Sequence, residues 1–250
     1  MSFSYKTIEA VIIAAGNGSR IIGDVEVSHK CLIPILHQKL IGYIIYNLIS
    51  SGIERINIVT GYNGEKLQNI IRRMAFPVEI NLVQNDEWNK GNGTSVFSSC
   101  IGVRSKEFVL TMADHWFTPD ISAAVNDGNS THPNLLAVDS LVGDINDLED
   151  ATKVKTGNDD RIIEIDKKLE IYNAIDCGIF RFIAVDIFSS LEKSFHNQEY
   201  SLSGGVRELI KSGRMFSTDI TGKLWQDVDT VSDLQATIRK IKKYREHKVK

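Results

Sequence analysis

The sequence predicts an α/β fold in which one mixed, mostly parallel sheet is flanked by helices. Short β-branched apolar runs alternate with segments of helical period through residue 114. Each of these runs is bounded by turn residues and is short enough for a buried strand. Helices that separate short strands imply βαβ crossovers, hence parallel neighbours.

The elements follow in order. "EAVIIAAG" from residue 9 is the first buried strand. "KLIGYIIYNLISSG" places apolar residues at 40, 41, 44, 45, 48 and 49, a helical spacing, with Gly52 as its stop. "ERINIVTGY" is a strand, and "GEKLQNIIRRMA" repeats the helical pattern at 67, 70, 71 and 74. "VEINLVQ" is a strand, "TSVFSSCIGV" a helix and "EFVLTMAD" a strand. In the second half, "NLLAVDSL", "ATKVKT", "RIIEI" and "AIDCGIFRFI" are strands. "VDIFSSLEKSF", "SGGVRELIKSG" and "VSDLQATIRKIKKYREH" are helices. No internal repeat or low-complexity linker breaks the chain, so residues 1–250 are read as a single domain with halves of about 1–120 and about 121–250.

Composition excludes several classes. The chain is 42% hydrophobic and 24% charged, ordinary for a folded domain with a sizeable core. A net charge of −3 gives no field suited to nucleic acid. No apolar run is long enough to cross a bilayer, and the N-terminus lacks a basic flank followed by an apolar core. Cys31, Cys100 and Cys177 are too far apart for a CxxC zinc site and odd in number for a disulfide framework. A reduced, cytoplasmic protein is the expectation.

The stretch "AAGNGSR" follows the first strand, at the sheet edge where open α/β folds bind ligands. Glycines there let the backbone approach a phosphate closely. The spacing is GxGxR, neither GxGxxG nor GxxxxGK[ST], so dinucleotide and P-loop readings are weak. Read alone, the segment is equally a tight turn. Arg20 adds a planar cationic fork, and Lys30 in "SHKCLIPI" adds a second cation near the same strand end. Asp114 ends a buried strand, where an acid must be solvated, paired or metal-bound. "WQDVDTVSDL" supplies Asp227 and Asp229 before the last helix. Asp229 or Thr230 could simply cap that helix. Two carboxylates from separate strand ends are also what a Mg²⁺ ion bridging phosphate oxygens requires.

Together these segments resemble the sugar-phosphate nucleotidyltransferase superfamily. Its signature strand, LAAGxGxR and PKxL, stands here as "IIAAGNGSR" and "HKCLIP", and the likeness continues through "EWNKGNGTS", "LTMADHWF", "ATKVK", "DCGIF" and "WQDVDT". The wording of "GNGTS" and "MADH" is most similar to CTP:inositol-1-phosphate cytidylyltransferases. His29 replaces the usual proline before the lysine, and Ala113 replaces a usual glycine.

The resemblance implies a Rossmann-like, GT-A-like fold with a nucleotide half followed by an acceptor half. It implies Mg²⁺ on Asp114 and Asp229, with Asp227 an alternate, and catalytic cations Arg20 and Lys30. Ala14, Ala15, Gly16, Asn17, Gly18 and Ser19 fall in its triphosphate loop, and Gln84, Asn85, Gly93 and Thr94 where it reads the base. Lys153 resembles the lysine that grips the acceptor's phosphate, while Glu164, Asp176 and Gly178 lie where acceptor hydroxyls bind. His115 is a structural or acceptor-contact residue. An exposed strand lysine and a structural carboxylate stay open for Lys153 and Asp176.

The activity so implied joins CTP to inositol 1-phosphate, giving CDP-inositol and pyrophosphate. Asn in many loops sets the chain apart from heat-adapted proteins. Phosphocholine, 2-aminoethylphosphonate and sugar 1-phosphates therefore remain alternative acceptors, the cationic ones suited to an aromatic box of Trp88, Trp116 and Trp225. A non-catalytic nucleotide sensor is the remote alternative. The tail "IRKIKKYREHKVK" has seven basic residues against one acid and reads as a solvated helix end. Contact with an anionic membrane or a membrane-bound downstream enzyme is the other option. A homodimer is left open.

Overall fold

The computed structural model describes residues 8–18, 21, 23, 25, 27–127, 130–141 and 148–248, the last two for their backbone. The first half contains β1 (Glu9–Ala14), a 3₁₀ turn (Lys30–Leu32), the small hairpin β2 (Pro34–Ile35) and β3 (Gln38–Lys39), and α1 (Leu40–Ser50). β4 (Arg55–Thr60), α2 (Gly64–Arg72), β5 (Glu79–Gln84), α3 (Asn92–Ser98), β6 (Glu107–Met112), β7 (His115–Phe117) and α4 (Pro119–Val125) follow. The second half contains β8 (Asn134–Asp139), β9 (Lys153–Thr156), β10 (Ile162–Asp166), β11 (Ala174–Ile183), α5 (Ala184–His196), α6 (Leu202–Lys211), β12 (Met215–Asp219), β13 (Trp225–Asp227) and α7 (Val231–Lys248).

The main sheet has nine strands, in the order β10-β9-β11-β6-β1-β4-β5, with β8 between β11 and β12. β6, β1, β4 and β5 run parallel, and β11 is antiparallel to β6 and β8. The sheet is therefore mixed and mostly parallel over its first half, as expected. β1 is buried along its whole length and shared between two cores. Ala10, Ile12 and Ala14 face the core under α1, and Val11 and Ile13 face the core that includes Leu191 and Val206 of α5 and α6. A strand covered on both sides reads as a continuous apolar run, which is why β1 is visible in the sequence.

From β1 the chain steps outward to β4 and β5, then returns to place β6 on the opposite side of β1. That reversal opens a crevice at the carboxyl ends of β1 and β6, where open α/β sheets bind ligands. Besides the 3₁₀ turn and the β2–β3 hairpin, the elements β7, α4, β12 and β13 fell outside the sequence reading. Two of these matter here: β7 and β13 pair beyond this crevice, with His115 opposite Asp227. The described cysteines are free, Cys31 and Cys177 buried and Cys100 exposed.

Candidate active site

Two clefts meet at the crevice. The first, about 270 Å³, is lined by Ala14, Gly16, Asn17, Gly18, His29, Lys30, Asp114 and Asp229, among others. A Cβ on Gly16 would meet nothing within 4 Å, so that peptide faces open space; Gly18 has φ +60°, a conformation that favours glycine. Ala15 is buried, its carbonyl accepting the Tyr62 N–H at 2.9 Å. Ser19 and Arg20 lie outside the described residues.

The second cleft, about 180 Å³, is lined by His115, Asp150, Lys167, Asp176, Gly178, Trp225, Asp227 and Asp229, among others. Asp229 belongs to both clefts. The Val228 N–H donates to the Asp114 carbonyl at 3.0 Å, which ties the end of β13 to the end of β6. The Lys30 ammonium sits between the two acids, donating to Asp114 Oδ2 at 2.8 Å and to Asp229 Oδ1.

The capping question is settled by side-chain geometry. Asp233 Oδ2 accepts from the Thr230 N–H at 2.9 Å and the Thr230 hydroxyl at 2.7 Å, and the Asp233 N–H returns to that hydroxyl at 3.2 Å. This reciprocal pair opens α7 and leaves the Asp229 carboxylate for Lys30. Asp233 also accepts the Asp229 N–H at 3.3 Å and so fixes its backbone.

The electrostatics are tightly coupled. Burial alone would raise Asp114, but Lys30 and His115 outweigh it and hold the carboxyl well below the usual range. Burial would lower Lys30, yet the two acids keep its ammonium charged. His115 Nδ1 donates to Asp114 Oδ1 at 2.6 Å. Burial opposes its charge, and Asp114 overcomes that and lifts it to about 9. His115 is thus an imidazolium at neutral pH and suits no role as a proton acceptor. Asp176 is pushed up to about 6 by burial, against the Gly178 N–H at 2.7 Å and the His115 charge. Burial likewise raises Asp227, with Asp229, Asp233 and Asp114 adding repulsion and His115 opposing. Cys31 also lines the first cleft; burial raises its thiol to about 12, so it is inert there.

Gly178 interrupts β11 where its register with β8 shifts between Asp176 and Phe180. Its φ is +71°, and a Cβ would come within 2.4 Å of the His115 ring. The bulge therefore seats the imidazole.

Several expected site residues lie elsewhere. Asn85 is buried and donates to the Thr94 and Ser95 hydroxyls at 3.0 and 2.9 Å, so Asn85 and Thr94 bind each other rather than face a cleft. The Gly93 N–H goes to the Tyr200 carbonyl at 2.9 Å. Gln84 is exposed at the end of β5 and accepts from the Thr60 hydroxyl at 3.0 Å.

Lys153 lines neither of the two clefts. Its ammonium donates to the Lys167 carbonyl at 2.7 Å and lies over the Tyr172 ring, outside the cleft. The alternation of a strand explains this, because its neighbour Thr152 lines the cleft and Val154 is buried. Glu164 is exposed beside the register shift in β10, with Ile165 lining the cleft. The lysine lining the second cleft is Lys167, ion-paired with Asp150 at 2.6 Å.

Asp227 faces the second cleft rather than Lys30. Among the described residues no three His, Cys, Asp or Glu side chains are placed to hold a metal ion together, so Asp227 does not complete such a triad with the other two acids. The side chains that could hold a divalent ion are the pair Asp114 and Asp229, and their chemistry fits one: two carboxylates from distant segments share one cation. The tryptophans form no box: Trp116 is buried in the core and Trp88 packs on Tyr62, leaving Trp225 at the second cleft.

The family model for nucleotidyl transferases matches residues 9–244. The chain belongs to that family. As a nucleotidyltransferase it is 30% identical over 94% of its length to a bifunctional IPC transferase and DIPP synthase of Aquifex aeolicus, covering 51% of that protein. It spans about half the length of the first curated relatives it matches. It is 26% identical to a CTP:phosphoglutamine cytidylyltransferase of Campylobacter jejuni, over 93% of this chain and 100% of that one. Its fold superposes on the inositol-1-phosphate CTP transferase from T. maritima with a TM-score of 0.81, at 26% identity, covering 95% of this chain and 98% of the other. A UDP-glucose pyrophosphorylase, TM-score 0.80 and 16% identical over 94% and 98% of the two chains, shares the fold alone. These likenesses agree with the GT-A-like nucleotidyltransferase fold and with the resemblance read from the sequence.

Proposed function

We propose that this nucleotidyltransferase joins CTP to a phosphorylated alcohol, with inositol 1-phosphate as the favoured acceptor, releasing pyrophosphate and CDP-inositol. One observation carries the reading: Asp114 and Asp229 converge on one cation where the glycine-loop cleft meets the second cleft. The T. maritima transferase and the relatives with IPC transferase in their names support the choice of nucleotide and acceptor.

In this mechanism CTP lies in the cleft of Gly16 and Gly18, its triphosphate near Lys30. The acceptor occupies the second cleft, where the Lys167 ammonium is a positive charge within reach of its phosphate. An acceptor phosphate oxygen attacks the α-phosphorus in line. The new P–O bond forms as the bond to the bridging oxygen breaks, and pyrophosphate leaves with that electron pair. The attacking phosphate is already ionised near neutral pH, so no proton acceptor is needed. Asp114 and Asp229 would hold a divalent ion, which would supply charge neutralisation at the phosphates when bound. The protein's own contribution is orientation, worth roughly 7–11 kcal/mol of such a barrier. Lys30, with Arg20 assigned by the family resemblance, takes the charge that develops on pyrophosphate.

An amine-bearing acceptor is the second reading. The C. jejuni cytidylyltransferase is matched over its whole length, and the second cleft carries Asp150, Asp176 and Asp227 beside Trp225. The test is a pyrophosphate-release screen with Mg²⁺, pairing each of the four NTPs with inositol 1-phosphate, phosphocholine, 2-aminoethylphosphonate, phosphoglutamine and sugar 1-phosphates. The expected result is release with CTP and inositol 1-phosphate above all other pairs. Preference for an amine-bearing acceptor selects the second reading, and release with no pair rejects both.

A further inference from the structure

The cation between the two acids belongs to the protein, and this has a consequence for how the site loads. Asp114 has two carboxylate oxygens. Oδ1 accepts from the His115 ring at 2.6 Å, and Oδ2 accepts from Lys30 at 2.8 Å. Lys30 also holds Asp229 Oδ1. One oxygen of each acid is thus bridged by an ammonium that is itself largely buried, its side chain 12% exposed.

A magnesium ion binds carboxylate oxygens at about 2.0–2.1 Å, and an ammonium at about 2.8 Å. A cation placed to use both Asp114 Oδ2 and Asp229 Oδ1 would occupy the space the ammonium fills. Two positive charges at that separation would also repel strongly.

The backbone beneath Lys30 is fixed, while its side chain is long and unbranched. Leu32 and Ile33 N–H groups close the 3₁₀ turn on the His29 and Lys30 carbonyls at 2.9 and 3.1 Å. His29 is 2% exposed and bonded through Nε2 to the Tyr62 carbonyl at 3.0 Å. The ammonium can therefore move while its Cα stays in place. Gly16, Asn17 and Gly18 line the same cleft, where a bound triphosphate would offer a new anion.

We propose that Lys30 is the internal counter-ion of the Asp114–Asp229 pair, excluding a divalent cation from the nucleotide-free enzyme until the nucleotide's phosphates draw the ammonium away. The inference rests on the proposed nucleotide and metal chemistry. It adds that metal and nucleotide enter together, and that a single lysine serves two anions in succession. Without Lys30, Asp114 would keep its His115 contact and lose the ammonium it shares with Asp229.

The experiment is Mn²⁺ binding to the full chain, read by electron paramagnetic resonance or calorimetry with no acceptor and no turnover. The native protein alone is expected to bind Mn²⁺ weakly, and Lys30→Met to bind it at least about tenfold more tightly. A non-hydrolysable CTP analogue should tighten Mn²⁺ binding to the native protein far beyond that of the analogue alone. Mn²⁺ should also raise the melting temperature of Lys30→Met more than that of the native chain, which checks that the variant folds. Lys30→Arg, which keeps the charge, should stay weak. Equal or weaker Mn²⁺ binding by Lys30→Met, still lost in Asp229→Asn, overturns the exclusion and leaves the metal site standing. Binding indifferent to both Asp114→Asn and Asp229→Asn overturns the exclusion together with the metal assignment.

Discussion

The two ends of the parallel strands each carry a buried charge cluster, built on opposite plans. At the amino end of β1, Glu9 is 0% exposed and accepts from Arg55 Nε at 3.1 Å, Asn57 Nδ2 at 2.7 Å, and the N–H groups of Arg104 and Ser105 at 2.9 and 2.7 Å. Two of these donors are backbone, and the others are side chains held on buried β4. At the carboxyl end, Asp114 is balanced by a flexible ammonium and an imidazolium on the rim of open clefts. The described partners of the first cluster are held in place by backbone and a buried strand. The second is neutralised by groups that can turn to another anion. A buried charge held by fixed donors serves the fold, and one held by a swappable cation serves the chemistry.

The sharpest way to break this contrast is to neutralise one acid at each end. Asp114→Asn should lower pyrophosphate release by about 10³-fold or more while melting close to the native chain. Glu9→Gln should do the reverse, keeping turnover and losing about 3 kcal/mol of stability, because the backbone donors and Arg55 lose their charge partner. Thermal melts and initial rates on the same two proteins decide it. An Asp114→Asn protein that keeps full activity would end the assignment of the carboxyl-end cluster to catalysis.

Next in size is Gly178→Ala. The new methyl meets the His115 ring and the left-handed backbone resists a side chain, so the imidazole must shift and take Asp114 with it. A loss of about 10²-fold in kcat is expected, the scale of a misplacement near 1 Å. Ala at Gly213, also at positive φ but far from the clefts, should strain the fold without that kinetic loss.

These residues differ in how far the sequence reveals them. Parallel strands leave an unmistakable trace, because burial on both faces forces continuous apolar runs such as Val11–Ile13 and Phe108–Leu110. The glycine loop, Lys30, Asp114 and Asp229 could be found for the same reason: each stands at the exit of such a run or in a fixed motif. The second half is harder to read. Lys153 and Glu164 sit in strands whose facing is set by register, and one residue of offset exchanges cleft for solvent. Lys167 lies in "DKKLE", which has the look of a solvated turn. β7 and β13 are three residues each, too short for a period, and form only because the chain closes over the crevice. The Thr230–Asp233 pair is legible in the sequence, since T-x-x-D before an apolar run is a capping signature, and it assigns the cap to Thr230 rather than Asp229.

The lysines give the next comparison. Lys167→Ala should raise the acceptor's KM by roughly 10–100-fold, the value of a charge-assisted contact, with little change for CTP. Lys153→Ala removes a bond to a carbonyl outside the cleft and should leave that KM nearly unchanged. Steady-state kinetics in both substrates separates them. The opposite ranking would return the acceptor's phosphate to Lys153.

The smallest effect concerns pH and again sets the two ends against each other. Burial would raise Glu9, but Asn57 and the Ser105 and Arg104 N–H groups hold it lowered, so its stabilisation is present above the ordinary carboxylate range and fades as pH falls through the folded value. Asp176 runs the other way. With a folded value of about 6, the native state binds its proton more tightly than the unfolded chain. Its contribution therefore declines as pH climbs from the ordinary carboxylate range to about 6, and stays low above that. Asp176→Asn should be more stable than the native chain near neutral pH, by on the order of 1–2 kcal/mol, and should lose that advantage in acid. Glu9→Gln should show its deficit at neutral pH and narrow it in acid. Denaturant melts of both variants at about pH 7.5 and about pH 4.5 test the pair. Should Asp176→Asn be destabilised at neutral pH, the carboxylate is a satisfied part of the fold, and the carboxyl end is less committed to ligands than its exposed clefts imply.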